Sequence, residues 1–439
     1  MLVNHMTFFP NLILILENTM KILFVSPSYY PAIGGVEIQA RLIAQELAKK
    51  HQVSIAAANF GFRHPQVPGW LGKRMRIDSL YNNLLAPSYP SFQDGDILVH
   101  AVTPNLSDRL RLLPILLPNL PLLRRYTDSF IDWYSYQCYR LVFQPKLEKL
   151  MQSVDVVHCL MADYLGFAAL DAAKKLGIPC VCTPYVHPGQ YGDGSFCIQT
   201  YPRFEAVGAL TEGDRQKLIS MGVPAEKLHI LGVVPLLPAT VNPDEFRQQH
   251  NLVDVPVILF VGRMEAYKGV KALLSSAHQV WQTIPNAHFV FVGPDTPESL
   301  EWFENADSRI HYLGKVSDQE KGDAIAACDI FCMPSLFEIL PTVYLEAWSY
   351  SKPVIGGKAQ GLPELIEGNN AGFAVEQTPE AISAAITKLL QDPALSQKLG
   401  DNGNVLVNQN YSLSSVVSKS EFLYQKMNGK PQASETLAR

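Results

Sequence analysis

The chain has 439 residues, 47% hydrophobic and 18% charged, with a formal net charge of −5. That length accommodates two or three domains with large cores, and the acidic balance argues against a nucleic-acid face, which would be basic. Seven scattered cysteines form no metal-type CxxC pair; Cys180 and Cys182 alternate on a strand as core, and the usage suits a reducing compartment.

In chain order, residues 1–20 hold a short apolar run, Phe8 to Leu16, broken by Pro10 and lacking a basic leader. It is far below the ~20 residues that span a bilayer. Translation from Met20 is the simpler expectation, with a functional anchor as the alternative. KILFVSP (21–27) then reads as a buried strand. A loop with Gly34 and Gly35 follows, then a helix with Val36, Ala40, Ile43 and Leu47 on one stripe, and the strand VSIAAA. VDVVHCL, DYLGFAALDAAKKLG and IPCVCTPY repeat the strand-helix-strand plan. Such alternation implies a parallel sheet with helices on both faces.

Residues 62–150 interrupt this plan with PSYPSF, LLPILLPNLPLLRRY and the aromatic FIDWYSYQCYRLVF. They carry 11 Lys and Arg against 7 Asp and Glu, a net of +4, which leaves −9 for the rest of the chain. Short helices and a hairpin packing on the first sheet are expected. The sharper alternative is a basic-aromatic surface meeting a membrane or a lipid-linked acceptor. The prolines argue against one long amphipathic helix.

The second half restarts with the strand VPVILFVGR (255–263) and the helix VKALLSSAHQVWQTI. HFVFVG, RIHYLG, DIFCMPS, KPVIGG and GFAVE are further strands. The expected division is an extension at 1–20, a first domain over 21–235 and a linker over 236–254. A second domain covers 255–410, and a helix and tail at 411–439 cross back. Ligands of such sheets bind beyond the carboxyl ends of the strands.

The chemistry-bearing residues lie at those ends. Arg263 closes a strand, and Lys268 with Gly269 precedes a helix. A lysine there costs ~0.3–1 kcal/mol against the helix dipole. A phosphate between the arginine, the lysine and the free helix amides reverses that sign. In SLFEILPTVYLEAWSYSKPVI, Glu338 falls on the loop after DIFCMPS and Glu346 in the helix that Pro341 opens. Carboxylates in an apolar setting need donors, which sugar hydroxyls supply. The plainer reading is a solvated Glu346 and a Glu338 that caps local amides. Gly34-Gly35 lets backbone approach a ligand, or is a plain turn. His187 opens a Gly-rich loop after a strand, while His158 sits within one and reads as core. Asp94-Gly-Asp96 matches a DxD pattern but reads as a turn, and no metal-ligand cluster stands out.

Together these pieces resemble the family 4 retaining glycosyltransferases, which have the GT-B fold of two Rossmann-like doubly wound α/β domains facing a central cleft. The resemblance runs from about residue 21 to the C-terminus and is weakest across 62–150. It rests on Pro31, Gly34 and Gly35; on Gly262, Arg263, Lys268 and Gly269; on Pro334, Ser335, Glu338 and Glu346 with the following KPVI; and on Gly361, Pro363 and Glu364. It implies that Arg263 and Lys268 hold a donor diphosphate, Glu338 the transferred sugar and Glu346 the ribose. The main chain near Val316 would read the base, and Gly34-Gly35 would form the opposing wall. Two departures stand out. Pro341 offers no N–H to the sugar, and Leu160 replaces a histidine that many members carry, which leaves His187 as the remaining catalytic histidine.

The implied activity is sugar transfer from a nucleoside diphosphate donor, UDP- or GDP-linked, to a hydroxyl acceptor, possible in polysaccharide, O-antigen or glycolipid synthesis. It implies no cofactor or metal, no nucleic-acid partner, and a cytoplasmic site, with peripheral membrane contact if the acceptor is lipid-linked. Two rival readings stay open. A nucleotide-sugar epimerase or hydrolase would consume donor without acceptor, and a non-catalytic sugar- or lipid-binding protein with a decayed donor loop would bind neither UDP nor GDP.

Overall fold

The computed structural model describes residues 19–32, 34–61, 87–115, 128–161, 163–187, 191–296 and 298–429. The apolar run at 8–16 and most of the proline-leucine segment before residue 128 lie outside them. The chain divides into two compact units. Unit 1 runs to Gly208 and adds Ile219–His229 and the chain from Val417; unit 2 comprises Ala209–Leu218 and Ile230–Val416.

Unit 1 opens with β1 (Lys21–Ser28), α1 (Gly35–Ala48) and β2 (Gln52–Asn59). The hairpin β3 (Phe92–Asp94) and β4 (Ile97–Ala101) follows, then α2 (Leu106–Leu112), α3 (Asp128–Leu150), β5 (Val156–Leu160) and α4 (Tyr164–Leu176). β6 (Cys180–Thr183), α5 (Ser195–Thr200), β7 (Ala206–Ala209) and β8 (Leu228–Ile230) complete an eight-stranded sheet ordered β3-β4-β2-β1-β5-β6-β7-β8, with α6 (Glu212–Ser220), most of it in unit 2, between β7 and β8. The pairs from β4 to β7 are parallel, and β3–β4 is antiparallel. Runs such as ILFV and VVHCL are buried on both faces, as strands sandwiched between helices must be.

Unit 2 holds α7 (Pro243–Gln249), β9 (Val257–Val261), α8 (Val270–Trp281), β10 (His288–Val292), β11 (Ile310–Gly314) and α9 (Asp318–Ala327). Then come β12 (Ile330–Met333), α10 (Thr342–Ser349), β13 (Val354–Gly357), α11 (Leu362–Ile366), β14 (Gly372–Val375), α12 (Pro379–Gln391) and α13 (Pro393–Asn410). Its six parallel strands are ordered β11-β10-β9-β12-β13-β14. α14 (Leu413–Met427) carries the chain back to unit 1, where Tyr424 is fully buried.

Three sequence expectations need correction. Residues 236–254, expected as a linker, belong to unit 2. There Arg247 donates to the Ala327 carbonyl at 2.6 Å and to Asp329 at 3.0 Å, and Asn242 N–H donates to Asp323 at 2.6 Å. Residues 209–218, placed in the first domain by sequence order, also belong to unit 2, where Gly213 and Gly361 meet backbone to backbone, too close for a Cβ. Finally, the aromatic stretch forms one helix of 23 residues despite Pro145. Pro145 is exposed, so the Leu141 carbonyl it leaves without a backbone donor faces the wet side of the helix. The opposite face buries Tyr136, Tyr139, Phe143 and Leu147.

Candidate functional site

In unit 2 the chain winds from β9 out to β10 and β11, then returns past β9 to β12 and on to β13 and β14. β9 and β12 are paired neighbours whose following loops leave in opposite directions. This is the switch point at which ligands of doubly wound sheets bind. The loop after β9 carries Arg263 and Lys268; the loop after β12 carries Glu338.

The structure brings Lys268 and Glu338 together. Lys268 Nζ lies 2.5 Å from Glu338 Oε1, with the side chains only 14% and 12% exposed. The loops that deliver them are cross-tied: Leu336 N–H donates to the Tyr267 carbonyl at 2.9 Å, and Gln377 Nε2 donates to the carbonyls of Tyr267 and Pro334, each at 2.8 Å. Gly269 is required twice. Its φ is +91°, and a Cβ there would sit 2.6 Å from Pro334 Cγ.

Arg263 is more open, its side chain 61% exposed, with Nη1 2.9 Å from Glu265 and Nη2 3.2 Å from the Tyr267 hydroxyl. Burial, reinforced by Glu265, pushes the Tyr267 phenol up to about 12, so it remains a neutral donor. Behind these groups α8 begins at Gly269 without a side-chain cap. Its first-turn amides lack intrahelical acceptors and mark the positive end of the dipole. α10, after the Glu338 loop, is likewise uncapped at Pro341. Two cations, two uncapped helix starts and two carboxylates, Glu338 and Glu265, suit an anionic ligand that also carries hydroxyls.

Glu346 lies in α10, 1% exposed, with Oε2 2.9 Å from Lys321 Nζ on α9. Neither carboxylate oxygen has a well-directed hydrogen bond. Burial pushes the carboxyl up; Lys321, and after it the Leu236 amide, pull it back. Glu346 is therefore not the solvated helix residue of the plainer reading. Val316 sits between β11 and α9, whose start Ser317 caps by accepting from Glu320 N–H. Lys321 gave no signal in the sequence: a lysine on an amphipathic helix ordinarily reads as solvated. Gln377, which ties the two site loops, was equally silent.

Gly34, Gly35 and His187 belong to unit 1. A Cβ on Gly34 would meet the carboxylate of Glu37, which Ser28 Oγ also engages. Gly35 has nothing within 4 Å of a Cβ position. The His187 side chain is exposed, and its backbone exchanges two 2.8 Å hydrogen bonds with Tyr191. His158 is core, as expected. Its Nδ1 lies 2.6 Å from Tyr424 Oη and its Nε2 2.8 Å from Thr183 Oγ1, and burial lowers it to about 3. The expected turn is Gly95-Asp96; Asp94 ends β3 just before it and is bound to Tyr29 at 2.9 Å and to Arg41 at 2.7 Å. Burial pushes its carboxyl up, but Arg41 and Tyr29 together hold it below the usual range. Among the described residues no group of three or more His, Cys, Asp or Glu is placed to hold a metal.

The family model "Glycosyl transferases group 1" matches residues 242–405, and "Glycosyl transferase 4-like domain" matches 34–233. Alpha-D-kanosaminyltransferase of Streptomyces kanamyceticus is 28% identical over 234 residues, 51% of this chain and 60% of its own length. Alpha-maltose-1-phosphate synthase of Mycolicibacterium smegmatis is 24% identical over 301 residues, 60% of this chain and 77% of its own. The crystal structure of Anabaena HepE in complex with UDP superimposes with a TM-score of 0.66 at 17% identity, covering 93% of this chain and all of that one. The architecture is the GT-B fold, and the chain belongs to the group 1 glycosyltransferases, of the family 4 type.

Proposed function

We propose that this glycosyltransferase moves a hexose-type sugar from a nucleoside diphosphate donor to a hydroxyl acceptor with retention at the anomeric carbon, and without a bound metal. The observation that carries the reading is the Lys268–Glu338 pair across the β9/β12 switch point, backed by the uncapped start of α8. Arg263, Lys268 and the α8 amides would bind the diphosphate. Glu338 would accept from the sugar hydroxyls and Glu346 from the ribose, with the main chain near Val316 against the base. Gly34, Gly35 and His187 are the unit 1 residues proposed to take part, His187 near the reacting sugar.

In the reaction the bond from the anomeric carbon to the diphosphate oxygen breaks. The acceptor oxygen bonds to that carbon on the same face, and the leaving diphosphate takes the acceptor proton. The protein's part is to stabilise the charge that develops on the diphosphate. The HepE neighbour carries UDP, and a GDP-mannose-dependent mannosyltransferase of Corynebacterium glutamicum is 30% identical over 167 residues, so UDP and GDP are both donors to test. Titration with UDP and GDP tests the site, since a decayed site would bind neither. A donor-only incubation separates transfer from hydrolysis or epimerisation. A panel of labelled nucleotide sugars with membrane extract would identify the pair.

A membrane-borne acceptor is favoured by α2. Leu106 and Leu110 lie 76% and 60% exposed, followed by Leu113, while Asp108 turns inward to Lys146 at 2.6 Å. With Arg111 exposed beside them, this face suits an anionic phospholipid surface. The described residues contain no helix long and apolar enough to cross a membrane, so the proposed contact is peripheral, from the cytoplasmic side. Flotation with anionic vesicles at low and high salt tests it; no binding at either removes it.

A further inference from the structure

The buried Glu346 is not explained by the diphosphate site alone. Its carboxylate is buried in unit 2, the residue 1% exposed. α9 contributes Lys321 and Asp318, whose charge pushes the carboxyl up; the segment entering the unit contributes the Leu236 amide; Tyr350, just past the end of α10, feels both Glu346 and Asp323 of α9. From α13 the neutral Asn404 side-chain amide donates to the Ser349 carbonyl, near the end of α10, at 2.8 Å. The Leu236 segment is fixed on α9: Gln319 Nε2 donates to the Thr240 carbonyl at 2.8 Å, and Pro238 packs where a Cβ of Gly322 would be.

A carboxylate so enclosed takes up a proton unless a cation holds it ionised. Once protonated it loses most of its strength as an acceptor. Lys321 is the cation within reach. It meets Oε2 at 2.9 Å; Oε1 is buried and, like Oε2, has no well-directed hydrogen bond, with the Leu236 amide beside the carboxylate.

We propose that Lys321 is a positioning residue for the donor nucleotide: by engaging Glu346 Oε2 it keeps the carboxylate ionised and turned so that Oε1 accepts the ribose hydroxyls. This rests on the donor reading given above. Lys321 touches Glu346, and acts on the ligand only through it.

The test is calorimetric titration of the full chain with UDP and GDP, and with the 2′,3′-dideoxy form of whichever binds, from pH 6 to 8.5. Lys321→Met is expected to weaken binding of the normal nucleotide about tenfold or more at pH 7. The loss should deepen as pH falls, by at most tenfold per pH unit for a single proton. Lys321→Arg is expected to restore the flatter wild-type profile. The dideoxy nucleotide, which offers no ribose hydroxyls, is expected to bind wild type and Lys321→Met alike, which also shows that the variant is folded. Equal or tighter binding of the normal nucleotide by Lys321→Met overturns the proposal, as does a loss that is the same for the dideoxy form. Wild type that binds neither UDP nor GDP overturns the donor reading, and this one with it.

Discussion

Each unit has a switch point, and the two are furnished differently. In unit 1 it lies between β1 and β5, in unit 2 between β9 and β12. At the first, α1 also starts without a side-chain cap but carries the acidic Glu37 in its first turn, and α4 is capped by Asp163, which accepts from Gly166 N–H at 2.9 Å. The adjoining strand carries His158, neutral and held from both nitrogens. At the second, α8 and α10 start uncapped, with Lys268 and Arg263 beside them. The same topology is thus furnished with the first-turn acid Glu37 at one switch point and with two ion pairs, Lys268–Glu338 and Arg263–Glu265, at the other.

The comparison breaks most sharply at Lys268 and Glu338. Replacing either with alanine removes a charged hydrogen bond of ~1.5–3 kcal/mol, so transfer rates are expected to fall ten- to hundred-fold or more. Unchanged kcat/KM in both would sink the assignment. Gly269→Ala should cost unit 2 about 1–3 kcal/mol, because its positive φ and the Pro334 contact leave no relaxed conformation. A thermal scan reads this directly.

Unit 1 should respond to acid through His158. Its folded pKa lies below the unfolded value, so its contribution is intact above about pH 6.5 and is lost as pH falls toward about 3. Denaturant titrations should show wild type losing about 1.4 kcal/mol more per pH unit in that window than His158→Gln. Asp163, raised to about 6 by burial, acts in the opposite sense in both proteins and cancels in the difference. The smallest expected effect is at Glu37. Glu37→Gln removes the internal anion from α1 and should cost ~0.3–1 kcal/mol at low salt, fading as salt is added; a cost that ignores ionic strength would show that the carboxylate does not serve the helix start.

The two sheets were legible because buried parallel strands read as unbroken apolar runs, and ILFVS, VILFV and FVFV announce themselves. Lys268 and Glu338 were legible because both sit at strand ends in short loops with fixed spacing. The allocation of chain to units was not. Residues 209–218 and 236–254 are held by contacts such as Gly213 against Gly361 and Arg247 against Ala327, which join positions 80 or more residues apart and leave no local pattern. Lys321 escaped for the same reason: its meaning lies in a partner on another helix. Pro145 misled because a proline's effect on a helix depends on which face it occupies, and only packing decides that.

The pairing of Tyr424 with His158 has a consequence for synthesis. The first sheet emerges from the ribosome long before α14, which supplies Tyr424, Leu423 and Val417 to its core. At roughly 5–20 residues per second, the nascent N-terminal sheet waits on the order of ten seconds or more for that helix, while unit 2 is made in between. Maturation of this polypeptide therefore ends where it began, and shortening it before residue 417 would leave the earliest-made half unfinished.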